Sequence, residues 1–426
     1  MSEFFELVDR LCSEGVEWRE LGSLGKFYSG LTGKSKEDFT SNGNAAFITY
    51  MNVYSNLALK TDVKDFVHIR QNEKQNTIQY GDVIFTGSSE TLDECGMSSV
   101  LTTRPQQKLY LNSFCFGYRF DNLNLFLPDF TKHLFRSDEI RKQIIKTANG
   151  VTRFNVSKKK MQSVKIPLPP LEVQREVVGI LDLFTGLTAE LTAELELRKK
   201  QYAYYREVLL SFDEKSPSVI KEMTKRLCPN GIEWKTLGDI GKVSMCKRIM
   251  KSETSDVGDV PFYKIGTFGK TANAFISREL FQKYKEAYSY PNKGDVLISA
   301  AGTIGRSVIF DGKPAYFQDS NIVWIANDET KILNRFLYYW YQTKPWKVST
   351  GGTIDRLYND DITKTKVPLP PLEVQSKIVE ILDQFHTLTT SLTEGIPAEI
   401  EARRKQYHYY RNKLLSFKEL APSPKE

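Results

Sequence analysis

PLPPLEVQ at residues 167–174 returns letter for letter at residues 368–375, and RKKQYAYYREVLLSF at 198–212 returns as RRKQYHYYRNKLLSF at 403–417. A fainter repeat precedes each copy: LCSEGVEWRELGSLGK at 11–26 reappears as LCPNGIEWKTLGDIGK at 227–242. The 426-residue chain therefore reads as two tandem units, each a globular segment followed by a long helical one. The expected boundaries are 1–166 for the first globular segment, 167–212 for the first repeated helix and 213–226 for a polar linker. They continue as 227–367 for the second globular segment, 368–417 for the second repeated helix and 418–426 for a tail.

Pro167, Pro169 and Pro170 force an extended entry to the first helix, with Pro170 suited to its first position and Glu172 favourable in its first turn. Apolar residues then fall at Val177, Ile180, Phe184, Leu187 and Leu191, in alternating steps of three and four, which is a coiled-coil seam. Residues 188–195 read TAEL-TAEL, and the steps from Leu187 to Leu191 to Leu195 are a local stutter. The pattern resumes through Arg198, Tyr202, Tyr205, Leu209 and Phe212. The second copy matches up to Leu392 and then becomes longer, TTSLTEGIPAEIEA replacing the compact repeat. Leu392, Ile396 and Ile400 keep the step of four, so the seam is expected to continue there, while Gly395 and Pro397 predict a kink or short break.

The expected fold is thus α/β (α+β): two globular domains joined by two long antiparallel helices packed as a coiled coil, with an internal pseudo-two-fold repeat. In the first globular segment, residues 45–49 (AAFIT), 82–85 (DVIF) and 114–120 read as strands, followed by a helical pattern from Phe126 to Ile145. In the second, strands are expected at 260–265, 295–300, 307–310 and 321–325, with a helix near 333–341. A basic stretch at 150–165 carries Arg153, Lys158, Lys159, Lys160 and Lys165. Its partner at 351–366 mixes Arg356, Lys364 and Lys366 with Asp355, Asp360 and Asp361.

Charged residues make up 26% of the chain and the formal net charge is +7, which favours an anionic partner. No apolar run approaches the ~18–20 residues of a membrane span, and the start MSEFFELVDR has neither the basic end nor the apolar stretch of a signal peptide, so a cytoplasmic location is expected. The five cysteines form no CxxC pair and read as small buried side chains; the four histidines have no metal-ligand spacing. GTFGKT at 266–271 lacks the spacing of a phosphate loop, and AGTIGR at 301–306 sits in hairpin context between two strand-like runs. Pro-Pro occurs only within PLPPL, without the aromatic loop that amino-methylating enzymes need. The residues read as a binding device rather than an enzyme.

The paired frame PLPPLEVQ…IVxILDxF…RKQYxYYRxxLLSF, with two globular units that differ, resembles the specificity subunit of type I restriction–modification systems, and the TAEL repeat resembles one subgroup of it. The resemblance covers essentially the whole chain. It implies a non-catalytic subunit with two target-recognition domains, each reading one half of a split double-stranded DNA site. It also implies helices that act as spacer and dock two modification (methyltransferase) subunits, with restriction (translocase/nuclease) subunits joining the complex. S-adenosylmethionine, ATP and Mg2+ are then expected on the partner subunits and no cofactor on this chain. A competing reading is a scaffold that holds two copies of a partner without binding DNA.

Base readers need hydrogen-bonding side chains on loops that reach a groove, with Lys and Arg on phosphates around them. Tyr50, Asn52, Tyr54 and Asn56 follow the strand-like AAFIT, and Lys264, Thr267, Phe268 and Lys270 follow the equivalent VPFY. A second pair of segments holds Ser88 and Ser89 after DVIF, and Thr303 and Arg306 after DVLIS. Arg104, Arg153, Lys158, Lys159, Lys160 and Arg356 are phosphate candidates. Tyr202 and Tyr205 fall on the helix seam, whereas Tyr204 and Arg206, with their copies Tyr409 and Arg411, fall elsewhere and are candidates for partner contact.

Overall fold

A computed structural model of the chain describes residues 2–347 and 356–421. The chain divides into two compact units, Met1–Leu191 with Ile400–Glu426, and Thr192–Glu399. Each unit combines one globular segment with part of the helical segments, so the first long helix supplies residues to both.

In the first unit, a four-stranded antiparallel sheet has the order Gly25–Ser29, Cys115–Phe120, Val83–Thr86, Ser98–Val100. The central run Val83–Thr86 is buried along its whole length because both faces are covered. Val83 and Phe85 join a core with Phe130 and Phe135, while Ile84 joins a second core with Ile48 and Leu111. A three-stranded sheet, Phe66–Val67, Ala45–Ile48, Leu109–Leu111, packs on that second face. A third sheet orders Ala148–Asn149, Phe154–Val156 and Ser88–Ser89. Strand Trp18–Glu20 pairs antiparallel with Lys165–Pro167 and ties the start of the unit to the entry of the long helix.

The second unit repeats this plan. Its four-stranded sheet runs Lys242–Ser244, Ile322–Ala326, Val296–Ser299, Ser307–Ile309, and its three-stranded sheet runs Phe275–Ile276, Val260–Tyr263, Tyr316–Phe317. Val296 and Ile298 face one core and Leu297 the other. Strand Glu233–Thr236 pairs with Lys366–Leu369 as its counterpart does in the first unit.

The first long helix, Leu171–Ser211, is continuous for 41 residues. It carries two apolar stripes rather than one. Val173, Val177 and Leu181 are buried in the core of the first unit, whereas Phe184 stacks on Tyr410 of helix Ile396–Leu414. In the second unit Tyr202 and Tyr205 stack on Phe385 of helix Leu372–Thr390.

The repeated glutamine explains why PLPPLEVQ is copied. The Gln174 amide accepts from Leu127 N–H at 2.9 Å and donates to the carbonyls of Leu125 and Pro169, both at 2.9 Å. Gln375 accepts from Leu333 N–H at 2.8 Å and donates to the carbonyls of Lys331 and Pro370 at 2.9 and 2.7 Å. Each is fully buried and fixes a globular helix, Pro128–Leu134 or Asn334–Tyr341, to the start of a long one.

The second repeated helix is interrupted, as Gly395 and Pro397 predict: one segment ends at Thr390 and the next begins at Ile396. A Cβ on Gly395 would lie 2.5 Å from the Thr387 carbonyl, so only glycine permits this close return. The expectation that Leu392 continues the seam is corrected. Leu392 lies in the break and is 83% exposed, and the seam restarts at the buried Ile396 and Ile400. Most of the stretch read as a linker, 213–226, is helical: Ser218–Leu227 forms a helix that runs to the first residue of the second globular segment, buries Ile220 and packs Met223 and Leu227 beside it.

Candidate functional site

The segment after AAFI is a helix, Tyr50–Ser55, where the sequence suggested a loop. Thr49 caps it by accepting from Asn52 N–H at 3.2 Å. The helix aims Tyr50 and Tyr54 the same way, with their rings stacked 6.2 Å apart. Tyr50 donates to the Ser88 carbonyl at 2.8 Å and Tyr54 to Glu94 Oε1 at 2.6 Å. Glu94 also accepts from the Thr91 hydroxyl at 2.8 Å. These two hydrogen bonds hold the Glu94 carboxyl below its ordinary pKa, and the same carboxylate raises that of Tyr54.

Strand Ser88–Ser89 pairs with Phe154–Val156, which brings Arg153 alongside. Gly87 makes the approach possible on the other side: its N–H donates to the Phe114 carbonyl at 2.7 Å, and a Cβ there would sit 2.8 Å from that oxygen. Arg153 lies 5.7 Å over the exposed Phe114 ring. Tyr50, Tyr54, Ser88, Ser89 and Arg153 thus line one concavity of about 320 Å³, together with Met51, Glu90, Glu94 and Phe114.

Other candidates of the first unit stand apart from it. Asn52 closes a turn, donating to the Lys60 carbonyl at 2.8 Å and accepting from Lys60 N–H at 3.1 Å, and Asn56 donates to the Asn52 carbonyl. Arg104 lies over Tyr80. Lys158 donates to Ser29 Oγ at 2.6 Å and Lys160 to Asn149 Oδ1 at 2.9 Å; with Lys159 they form the short helix Lys158–Met161.

In the second unit, Lys264 and Arg356 come together around a concavity of about 470 Å³, with Arg248, Lys251, Gln318, Asp319 and Asn321. Arg356 donates to the Ser320 carbonyl at 2.9 Å and Arg248 pairs with Asp319 at 2.9 Å. Arg248 and Lys251 escaped the sequence reading, although the basic run in CKRIMK at 246–251 is the signal that marks them. Thr267 makes the turn with Lys264, and Phe268 is buried. Arg306 ties that loop down, donating to the Phe268 carbonyl at 2.8 Å and to Thr303 Oγ1 at 3.3 Å. Lys270 lines a separate, more apolar concavity with Tyr263 and Phe310.

The two concavities occupy the same place in the repeat. Phe114 and Asn321 each precede the second strand of their four-stranded sheet. Ser88 pairs with Asn155 near Arg153, and Ala301, at the corresponding place beyond Val296–Ser299, bridges to Arg356.

On the helices, Tyr202 is buried, and Tyr204 and Tyr409 are 59% and 60% exposed. Arg206 donates to Gln342 Oε1 at 2.7 Å. Arg411 is buried inside the first unit and pairs with Asp138 at 2.8 Å, so the structure gives it an internal partner. Nearby, buried His133 bridges Asp182 Oδ1 at 2.8 Å and the Tyr407 hydroxyl at 2.9 Å. The carboxylate can only accept, so Nε2 carries the proton and Nδ1 accepts from Tyr407. Burial holds this imidazole below its ordinary pKa, against the pull of Asp182. No helix among the described residues is long and apolar enough to cross a membrane, and the five cysteines are free thiols.

Comparison with known proteins places this architecture. Residues 13–197 and 229–402 both match the type I restriction modification DNA specificity domain. A putative type I restriction enzyme specificity subunit of Haemophilus influenzae is 54% identical over 276 residues, covering 63% of this chain and 68% of that one. The EcoR124I/EcoR124II specificity subunit of Escherichia coli is 35% identical over 275 residues, 59% of this chain and 63% of that one. A chain from a structure describing complex assembly and conformational transition of the type I restriction–modification system shares the fold. Its TM-score is 0.59 at 19% identity, over 94% of this chain and 97% of that one. With two matched domains that together span most of its length, this chain belongs to the family of type I restriction–modification DNA specificity subunits.

Proposed function

We propose that the two units of this subunit read the two halves of a split double-stranded DNA site, each through the concavity described above. The observation that carries this reading is the equivalence of position with difference of lining. The same place in the repeat holds Tyr50, Tyr54, Ser88 and Arg153 in one unit and Arg248, Lys251, Lys264 and Arg356 in the other. A shared frame with unlike linings is what two readers of unlike half-sites require, and the cations suit phosphates around a base-reading patch. The long helices set the unread spacer and offer exposed Tyr204 and Tyr409 to modification subunits. Methyl transfer with S-adenosylmethionine, and translocation and cleavage with ATP and Mg2+, belong to the partner subunits.

Methylation sequencing of a host carrying the subunit with its modification partners tests the reading. A split motif with two unlike halves is expected, and DNA retention by the complex should weaken as salt rises. No methylated split motif and no salt-dependent retention of DNA would instead favour a protein-only scaffold.

A further inference from the structure

Behind the concavity of the first unit lie two guanidinium groups that, among the described residues, pair with no carboxylate. Arg136 donates through Nε to the Ser98 carbonyl at 2.7 Å and through Nη2 to the carbonyls of Val53 and Tyr54 at 3.1 and 2.9 Å. The latter two oxygens belong to the last turn of helix Tyr50–Ser55, which lacks intrahelical partners for them. Arg141, only 8% exposed, donates to the carbonyls of Gly96, Asp93 and Cys95 at 2.5, 2.8 and 2.7 Å. Burial lowers the pKa of both guanidinium groups to about 10.

Burying a cation without a counter-charge is costly, and these two stand five positions apart. Arg136 grips the helix that carries Tyr50 and Tyr54; Arg141 grips the segment that carries Glu94. Between them they fix both walls of the concavity from behind. The globular fold does not need the first of them. Gln342 stands nine residues after Leu333 as Arg136 does after Leu127, and it accepts from Arg206 instead of holding a reading segment.

We propose that Arg136 and Arg141 are positioning residues for the first half-site: they set the separation of the two segments that face DNA, and touch no base themselves. This rests on the reading of the concavity as a DNA-facing surface. A planar fork reaching several carbonyls at once is the property required, which an ammonium group lacks.

The test uses the full chain expressed with its modification subunits and reads the methylated motif genome-wide. Arg153→Ala first identifies which half-site belongs to the first unit. Arg136→Gln, a residue the repeat itself tolerates, and Arg141→Gln are then expected to relax that same half-site. Methylation at singly mismatched sites should rise by about tenfold, with the other half-site unchanged. Arg136→Lys should behave like Arg136→Gln. An unaltered motif, equal relaxation of both halves, or restoration by lysine would each overturn the proposal. If Arg153→Ala and Tyr54→Phe leave both half-sites intact, the DNA-facing reading fails and this inference with it. If they relax one half-site and Arg136→Gln does not, the inference alone fails.

Discussion

Replacing Gln174 with leucine should loosen the first unit and leave the second as it is, and Gln375→Leu should do the reverse. Leucine is close to glutamine in volume, so the packing at this fully buried position is largely kept. What is lost is one acceptor and two donors. The N–H of Leu127 and the carbonyls of Leu125 and Pro169 all lose their bond to this side chain. At ~1 kcal/mol net for each bond, and more where a partner stays dry, the cost is about 3 kcal/mol or above. For a unit of this size that corresponds to roughly 6–12 °C in the temperature at which it opens. Because two units need not unfold together, the assay should be hydrogen exchange resolved by segment rather than a single melting curve. Protection should fall across Pro128–Leu134 and the start of Leu171–Ser211 in one variant, and across Asn334–Tyr341 and Leu372–Thr390 in the other. Gln174→Glu is a harsher control: an ionised carboxylate still accepts from Leu127 but cannot donate to the two carbonyls and is buried without a counter-charge. Equal loss in both units from either variant, or no loss from Gln174→Leu, would refute the idea that each glutamine clamps only its own unit.

Inserting one more TAEL after residue 195 should extend the continuous helix by about 6 Å. Against ~3.4 Å per base pair, the unread spacer should then lengthen by one or two base pairs. Methylation sequencing should show unaltered half-sites, and altered halves with a constant spacer would contradict the reading of the helices as spacer. A pH effect follows from His133. Its folded pKa is depressed, so the unfolded chain binds the proton first as pH falls. The stability it contributes is present above about pH 6.5 and lost below it, at ~1.4 kcal/mol per pH unit until the folded group titrates. Exchange protection of the first unit should fall between pH 7 and 5, and His133→Gln should flatten that dependence; overlaid profiles would remove His133 as the cause.

How far the sequence reveals this molecule depends on how each feature is encoded. The strands were legible because runs such as Val83–Thr86 are buried on both faces and must be apolar throughout. The frame was legible because Gln174 and Gln375 make the same three bonds and therefore sit in the same letters. Helix Tyr50–Ser55 was missed because six residues are too few to display a period. Leu392 was misplaced because spacing alone counts straight through Gly395, whose close return to Thr387 cannot be read from hydrophobicity. Of the site, Tyr50, Tyr54, Ser88, Ser89 and Arg153 were found separately and the structure brings them together. Arg248 and Lys251 were overlooked because their loop follows an edge strand too short and too mixed to stand out, Lys242–Ser244, although the basic run CKRIMK at 246–251 is plain in the sequence. Arg136 and Arg141 carry no sequence signal, since a buried arginine bonded only to carbonyls looks like any helix-surface cation until it is placed.

The linings of the two concavities differ in sign, and that difference bears on how two readers share one site. The first has Glu90 and Glu94 against Arg153; the second has Arg248, Lys251, Lys264 and Arg356 against Asp319. A polyanion approaching the second releases counterions and gains affinity whatever its sequence. Approaching the first, it meets carboxylates that repel phosphate yet can accept from the exocyclic amino group of cytosine. Under the proposed reading, the second unit supplies more of the holding and the first more of the discrimination.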